Sequence, residues 1–231
     1  MTPIRRVWVT RAEPGAARTA DRLTALGFTP IVAPLLTLAP LPGALDAAPS
    51  PDAVAVLALT SPNGVEAFAP LIPRFRHHPV FAVGDATAEA ARAAGFADVR
   101  SASGDIHALA RLIAAEAPPG PLLAPGAREP AGDLPALLSD RPVQRLPVYA
   151  AFETHAPAPE LFDAVMLHSP RAARALASDL PRAASSGRVA VCISEAAATP
   201  LHPFDFAEIR IASTPDEPGM LSALGKPAAP V

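Results

Sequence analysis

Ser61-Pro62 and Ser169-Pro170 lie 108 residues apart, and each follows a short apolar run and precedes an Ala-containing stretch. Serine is a good helix N-cap, and proline suits the first helical position because its missing N–H would find no intrahelical partner there. Each pair therefore reads as a helix start. The first N–H groups of a helix lack acceptors and carry partial positive charge, so such a start favours a carboxylate or a phosphate. Asn63 comes directly after Pro62 and Arg171 directly after Pro170. Gly84-Asp85-Ala86-Thr87 and Ser194-Glu195-Ala196 form a second matched pair of helix starts, and Thr10-Arg11 and Gly126-Ala127-Arg128 form a third pair of strand ends. A guanidinium at such an end can fork onto a ligand carboxylate. The candidate anion-binding residues are thus Arg11, Ser61, Asn63, Gly84, Thr87, Arg128, Ser169, Arg171 and Ser194. Each also has a plainer reading, as an ordinary cap or a solvated arginine. Tyr149, the only tyrosine, ends another apolar run. Its phenol could donate a proton or hydrogen bond to a leaving oxygen, or could simply be a surface aromatic.

These residues need a scaffold, and the chain writes one twice. LTSPNGVEAF from Leu59 matches LHSPRAARAL from Leu167; VFAVGDATA from Val80 matches VAVCISEAA from Val189; DVRSASGD from Asp98 matches EIRIASTPD from Glu208. Upstream, VWVTR from Val7 echoes LLAPGAR from Leu122. A repeat of about 110 residues implies two similar lobes, and ligands commonly bind in the cleft such a pair forms. Short apolar runs at Val7–Thr10, Ala53–Thr60, Val80–Val83, Ala164–Leu167 and Val189–Ile193 read as strands buried on both faces. Helices are expected over Ala16–Leu26, ended by Gly27, and over Ala86–Ala94, ended by Gly95; Ile106, Leu109, Leu112 and Ile113 form one apolar stripe. Alternating strands and helices give an α/β protein of two flavodoxin-like, doubly wound parallel-sheet domains, pseudo-duplicated and joined by a two-strand hinge. Repeat arithmetic leaves open which strands share a sheet. The Pro-rich segments Leu35–Pro51 and Tyr149–Pro159 are the expected crossings.

Composition narrows the function. The 231 residues are 50% hydrophobic, and 30 Pro with 13 Gly stay below the roughly 25–30% that marks low-complexity disorder. A formal charge of −3 gives no global attraction to nucleic acid or anionic membranes. Lone Cys192 in an apolar run reads as a small buried hydrophobe, and Trp8 as core. No secretory leader or membrane-length apolar run is present, so a cytoplasmic protein is expected. No GxGxxG, GxxxxGK[ST] or GxSxG motif occurs, and the six His are not spaced for a metal, so neither metal nor nucleotide cofactor is expected. The charged run Arg74–His78 reads as a solvated loop, and the tail after Lys226 as a frayed end.

The ordered set VWVTR, LTSPNGVEAF, VFAVGDATAEAARAAGF, the RLPVY ending at Tyr149, LHSPRAARAL and ASTPDEPGMLSAL resembles the uroporphyrinogen-III synthase family over almost the whole chain. The resemblance implies a cytoplasmic, cofactor-free, monomeric lyase of tetrapyrrole (haem) biosynthesis. It implies two domains, residues 1–37 with 152–231 and residues 38–151. The substrate would be hydroxymethylbilane, a linear tetrapyrrole with eight carboxylates, handed over by hydroxymethylbilane synthase. The terminal hydroxyl leaves as water, the last ring inverts through a spiro intermediate, and the macrocycle closes. Tyr149 matches the tyrosine favoured as general acid in that family, and most other contacts there come from backbone N–H groups. One departure stands out: Ser194-Glu195-Ala196-Ala197 replaces the Gly-Pro-Thr-Thr of many relatives, and Pro200 and Pro203 should shorten the helix that follows. The rival reading is a non-catalytic, two-lobed module that binds a small anion.

Overall fold

The apolar runs become strands and the Ala-rich stretches become helices. In chain order these are β1 (Arg6–Val9), α1 (Gly15–Ala25), β2 (Thr29–Val32), β3 (Leu36–Pro40), β4 (Val56–Leu59), α2 (Pro62–Phe68), α3 (Ile72–Phe75), β5 (Val80–Ala82), α4 (Asp85–Ala93) and β6 (Val99–Ser101). There follow α5 (Ile106–Glu116), β7 (Leu122–Ala127), α6 (Leu134–Leu137), β8 (Val143–Glu153), β9 (Ala164–Leu167), α7 (Pro170–Asp179), β10 (Val189–Cys192), α8 (Glu195–Ala198), β11 (Glu208–Ile211) and α9 (Glu217–Leu224). The computed structural model describes residues 3–228. The chain divides into a first unit, Met1–Leu38 with Ala151–Val231, and a second, Ala39–Ala150.

Strand order answers the question the repeat leaves open. The first unit's sheet runs β2-β1-β9-β10-β11, with every neighbouring pair parallel. The second runs β8-β7-β4-β5-β6, again parallel, with β3 beyond β8. Numbered within its own unit, the first is 2-1-3-4-5, the flavodoxin-like order. The second is the same order begun at a different strand: β7 and β8 stand where β1 and β2 stand, and β4, β5 and β6 where β9, β10 and β11 stand. This circular permutation explains why VWVTR and LLAPGAR align although one opens its unit and the other comes late in its unit.

Each sheet is buried on both faces because its central strands are apolar at every position. β4, β9 and β10 carry no exposed residue. In the first unit Trp8, Val165, Leu167, Ala190 and Cys192 point to one face with Ala172 and Leu176 of α7; Val7, Val9, Met166 and Val191 point to the other with Leu23 of α1 and Met220 of α9. In the second, Leu57, Leu59 and Leu123 meet Phe68 and Phe75, while Val56, Ala58 and Phe81 meet Leu109 and Ile113 of α5. Each such buried Val, Leu, Ile, Met or Phe side chain contributes about 1.5–3 kcal/mol. Trp8 also satisfies its indole N–H on the Ala33 carbonyl at 2.7 Å. Gly27 and Gly95 end α1 and α4 at φ of 90° and 105°, a conformation costly for any residue with a Cβ.

The boundaries of the units fall inside β3 and β8, which are neighbours in a sheet, and lie within the segments Leu35–Pro51 and Tyr149–Pro159. Two local expectations are revised. The Arg74–His78 run is not wholly a solvated loop: Phe75 closes the short α3 and is completely buried. The tail is anchored as far as it is described, the Ala228 N–H donating to the Ile4 carbonyl at 2.8 Å; residues 229–231 lie outside the described residues. The shortening of α8 appears as expected, since the helix spans Glu195–Ala198 and passes into a 3-10 turn, Thr199–Leu201, that holds Pro200.

Candidate active site

In an open parallel sheet the carboxyl ends of the strands face the helix starts, and the switch in strand order leaves a gap there for ligand. The switch lies between β4 and β7 in the second unit and between β1 and β9 in the first. The candidate residues cluster at these two edges.

In the second unit the residue after the β4–Thr60 turn is Ser61, in extended backbone (φ −163°, ψ 152°), and its Oγ accepts the Gly64 N–H at 3.1 Å to cap α2. The Tyr149 hydroxyl lies 2.9 Å from the same Oγ. Two features bring the pair together across 88 residues of sequence. A register shift between Gly126 and Ala127 sets Ala127 opposite Tyr149 instead of Val148, the kind of bulge that re-aims a side chain. Gly64 lets the first turn of α2 approach that bulge, for a Cβ there would sit 3.2 Å from the Pro125 carbonyl and 3.6 Å from Gly126 Cα. Ser61 can donate its own proton to the phenolic oxygen while accepting from Gly64, which leaves the phenol's proton free. Tyr149 is half-buried against the α2 core.

The other second-unit candidates surround this pair. The Arg128 N–H donates to the Tyr149 carbonyl at 2.9 Å, and its side chain is exposed. Asn63 is half-buried in the first turn of α2. Gly84 caps α4 one strand further along, and Thr87 in the same first turn is buried. Gly84 is not required as glycine: its backbone is extended, and a Cβ would meet nothing closer than the Gly104 carbonyl at 3.9 Å.

The first unit repeats the backbone and changes the side chains. Ser169 caps α7 by accepting the Ala172 N–H at 3.1 Å, with φ −163° and ψ 153°, a near copy of Ser61. Ser194 begins α8 at φ −159° and ψ 166°, where Gly84 has −159° and 174°. Arg171 is half-buried in the first turn of α7. Arg11, however, is taken up by a carboxylate that the sequence reading passed over. Its Nη1 donates to Glu217 Oε2 at 2.9 Å, the His168 Nε2 lies 3.2 Å from that oxygen, and the Thr19 hydroxyl donates to Oε1 at 2.7 Å. Glu217 and His168 are almost wholly buried, with 10% and 8% of their side chains exposed. Burial pushes the Glu217 carboxyl up, but the His168 and Thr19 hydrogen bonds and the nearby His168 and Arg11 charges outweigh it and hold the group down to about 2. The signal was local: Asp216 caps α9 by accepting the Gly219 N–H at 2.8 Å, and Asp-Glu-Pro is a readable helix start that puts Glu217 at the carboxyl edge.

Nucleophile chemistry has no support at Cys192, since burial in the sheet and nearby Glu195 push its thiol up to about 12. Among the described residues no group of three His, Cys, Asp or Glu side chains comes together as a metal site, and no helix is long and apolar enough to cross a membrane.

The sequence model of uroporphyrinogen-III synthase matches residues 17–222, most of the chain. The chain belongs to the uroporphyrinogen-III synthase family. Among solved structures, the uroporphyrinogen-III synthetase of Helicobacter pylori 26695 superposes with a TM-score of 0.63 at 17% identity, covering 96% of this chain and 98% of its own. A mutant uroporphyrinogen III synthase from the extremely thermophilic bacterium Thermus thermophilus gives 0.52 at 18% identity, covering 95% and 97%. At these identities the superpositions speak for the fold, two parallel-dominated α/β sheets. No curated protein sequence matches the chain. Membership in the uroporphyrinogen-III synthase family makes the chain an enzyme and places it in porphyrin biosynthesis.

Proposed function

We propose that the chain converts hydroxymethylbilane to uroporphyrinogen III as a cofactor-free lyase, with Tyr149 as the general acid. The observation that carries this reading is the Tyr149 hydroxyl on Ser61 at the open carboxyl edge of the second unit. The C–O bond to the terminal hydroxyl breaks as the phenol's proton passes to that oxygen, and water leaves. Ser61, donating to the phenolic oxygen, stabilises the negative charge that develops there. The electron-rich pyrroles then supply the carbon nucleophile, so no side-chain nucleophile or metal is needed. Uncatalysed closure gives the uninverted type I isomer, and the enzyme's main contribution is orientation of the bilane.

Substrate carboxylates have suitable partners at the start of α2 with Asn63, at the start of α4 with Gly84 and Thr87, and at exposed Arg128. In the first unit we assign the starts of α7 (Ser169, Arg171) and α8 (Ser194) to backbone N–H contacts, and we leave Arg11 out because Glu217 engages it. A cytoplasmic monomer that receives its substrate from hydroxymethylbilane synthase completes the proposal. Tyr149→Phe tests it: turnover should fall by roughly ten- to ten-thousand-fold, the usual worth of a positioned proton donor. Unchanged turnover would exclude the role.

A further inference from the structure

The cluster around Glu217 is built the way a ligand carboxylate would be held. Both oxygens are used: Oε2 faces Arg11 and His168, and Oε1 accepts from Thr19. The holders come from the carboxyl end of β1, the carboxyl end of β9 and the face of α1, and they converge on the switch in strand order where an open sheet takes its ligand. Arg11 is folded back over α1, and Gly15 makes room for it, since a Cβ there would fall 2.8 Å from the guanidinium carbon. His168 Nδ1 is buried without a partner, a cost a structure rarely carries at a site with no task.

The second unit shows what the same place looks like without this carboxylate. Asp105 caps α5 there as Asp216 caps α9, and the residue that follows is Ile106 instead of Glu217. Thr60 stands in the place of His168, and by strand register Gly126 stands in the place of Arg11. The result is a pocket lined by Thr60, Ile106, Gly126, Gly132 and Arg145, with no carboxylate in it.

We propose that Glu217 is a resident anion that fills the carboxylate site at the first unit's switch in strand order, and so determines specificity by withdrawing Arg11, His168 and Thr19 from substrate carboxylates. This rests on the functional reading above, because it takes the ligand to be a polycarboxylate. It predicts a latent site for a small monocarboxylate, formed by Arg11, His168 and Thr19, that appears once the Glu217 side chain is removed.

The test uses the full chain with formate and acetate as probes and chloride at equal ionic strength as control. Glu217→Ala should gain Tm saturably, by about 3–6 °C when formate is tenfold above its dissociation constant. The wild type, Glu217→Gln, in which the amide keeps the space filled, and the Arg11→Ala/Glu217→Ala double variant should gain no more than they do in chloride. If Glu217→Ala is unfolded in chloride, recovery of the fold in formate supports the proposal, and equal failure in both overturns it. A folded Glu217→Ala that responds alike to formate and chloride, or a wild type that responds as strongly, also overturns it. The readout needs no turnover, so a wild type that makes no type III isomer would count against the functional reading while leaving this result standing.

Discussion

At the carboxyl edge of the first unit, Arg11, His168 and Thr19 close on Glu217; at the matching edge of the second, Tyr149 meets Ser61, with an exposed Arg128 and a pocket lined by no carboxylate. The backbones are near copies, with Ser61 and Ser169 agreeing to one degree in ψ and identical in φ. Duplication therefore preserved the helix starts, and divergence acted on the residues between them. One edge has its charges matched internally and reads as a finished piece of structure. The other keeps a half-buried phenol on Ser61 and an exposed guanidinium, as chemistry on an anionic substrate requires.

The largest effect expected from this contrast is kinetic. If Ser61 works through Tyr149, Ser61→Ala should cut kcat about tenfold or more, and Tyr149→Phe with Ser61→Ala should lose little more than Tyr149→Phe alone. Ser169→Ala, which has no phenol beside it, should combine additively with Tyr149→Phe in a double-mutant cycle. Additive losses for the Ser61 pair would break the comparison.

Stability should answer to the first edge. Glu217→Gln leaves Arg11 without its carboxylate and should cost about 2–3 kcal/mol, a Tm fall of roughly 4–12 °C. The same group sets an acid limit. Its folded value of about 2 lies below the ordinary 4.5, so its contribution, about 3 kcal/mol, is fully present above pH 4.5 and is lost as pH falls from 4.5 towards 2. Acid titration of the wild type beside Glu217→Gln, followed by circular dichroism, should show the difference between them shrinking across that window.

Smaller effects separate the two arginines and equate the two serines. Arg128→Ala should raise KM about three- to tenfold with Tm nearly unmoved, whereas Arg11→Ala should lower Tm. In thermal or urea unfolding, Ser61→Ala and Ser169→Ala should each cost about 1 kcal/mol, since each removes one cap of the same geometry. Unequal costs would mean that the hydroxyl–phenol contact adds stability at one edge.

What could be read without the structure was local. The strands Ala164–Leu167 and Val189–Cys192 are unbroken apolar runs, and the Ser-Pro caps depend on neighbours three residues away. The contacts that separate the two edges are distant. Tyr149 reaches Ser61 across 88 residues with the help of a bulge that no residue pattern announces, and Arg11 reaches Glu217 across 206. Arg11 looked available for a ligand because its partner sits at the far end of the chain, in α9. Phe75 was hidden in a charged run for a related reason: its burial depends on the packing of Phe68 and Leu57 around it, not on its neighbours Arg74 and Arg76. Strand order resisted reading because the second unit is a permuted copy, and pattern matching is blind to where a unit begins.

The central claim is that the open edge of the second unit serves ring closure with inversion. Its most direct test is the isomer composition of the product formed from hydroxymethylbilane by the folded wild-type protein, measured against the uncatalysed reaction run in parallel. The account predicts that the type III isomer dominates and that its share rises with enzyme concentration. Type I alone, at the uncatalysed rate, would contradict it.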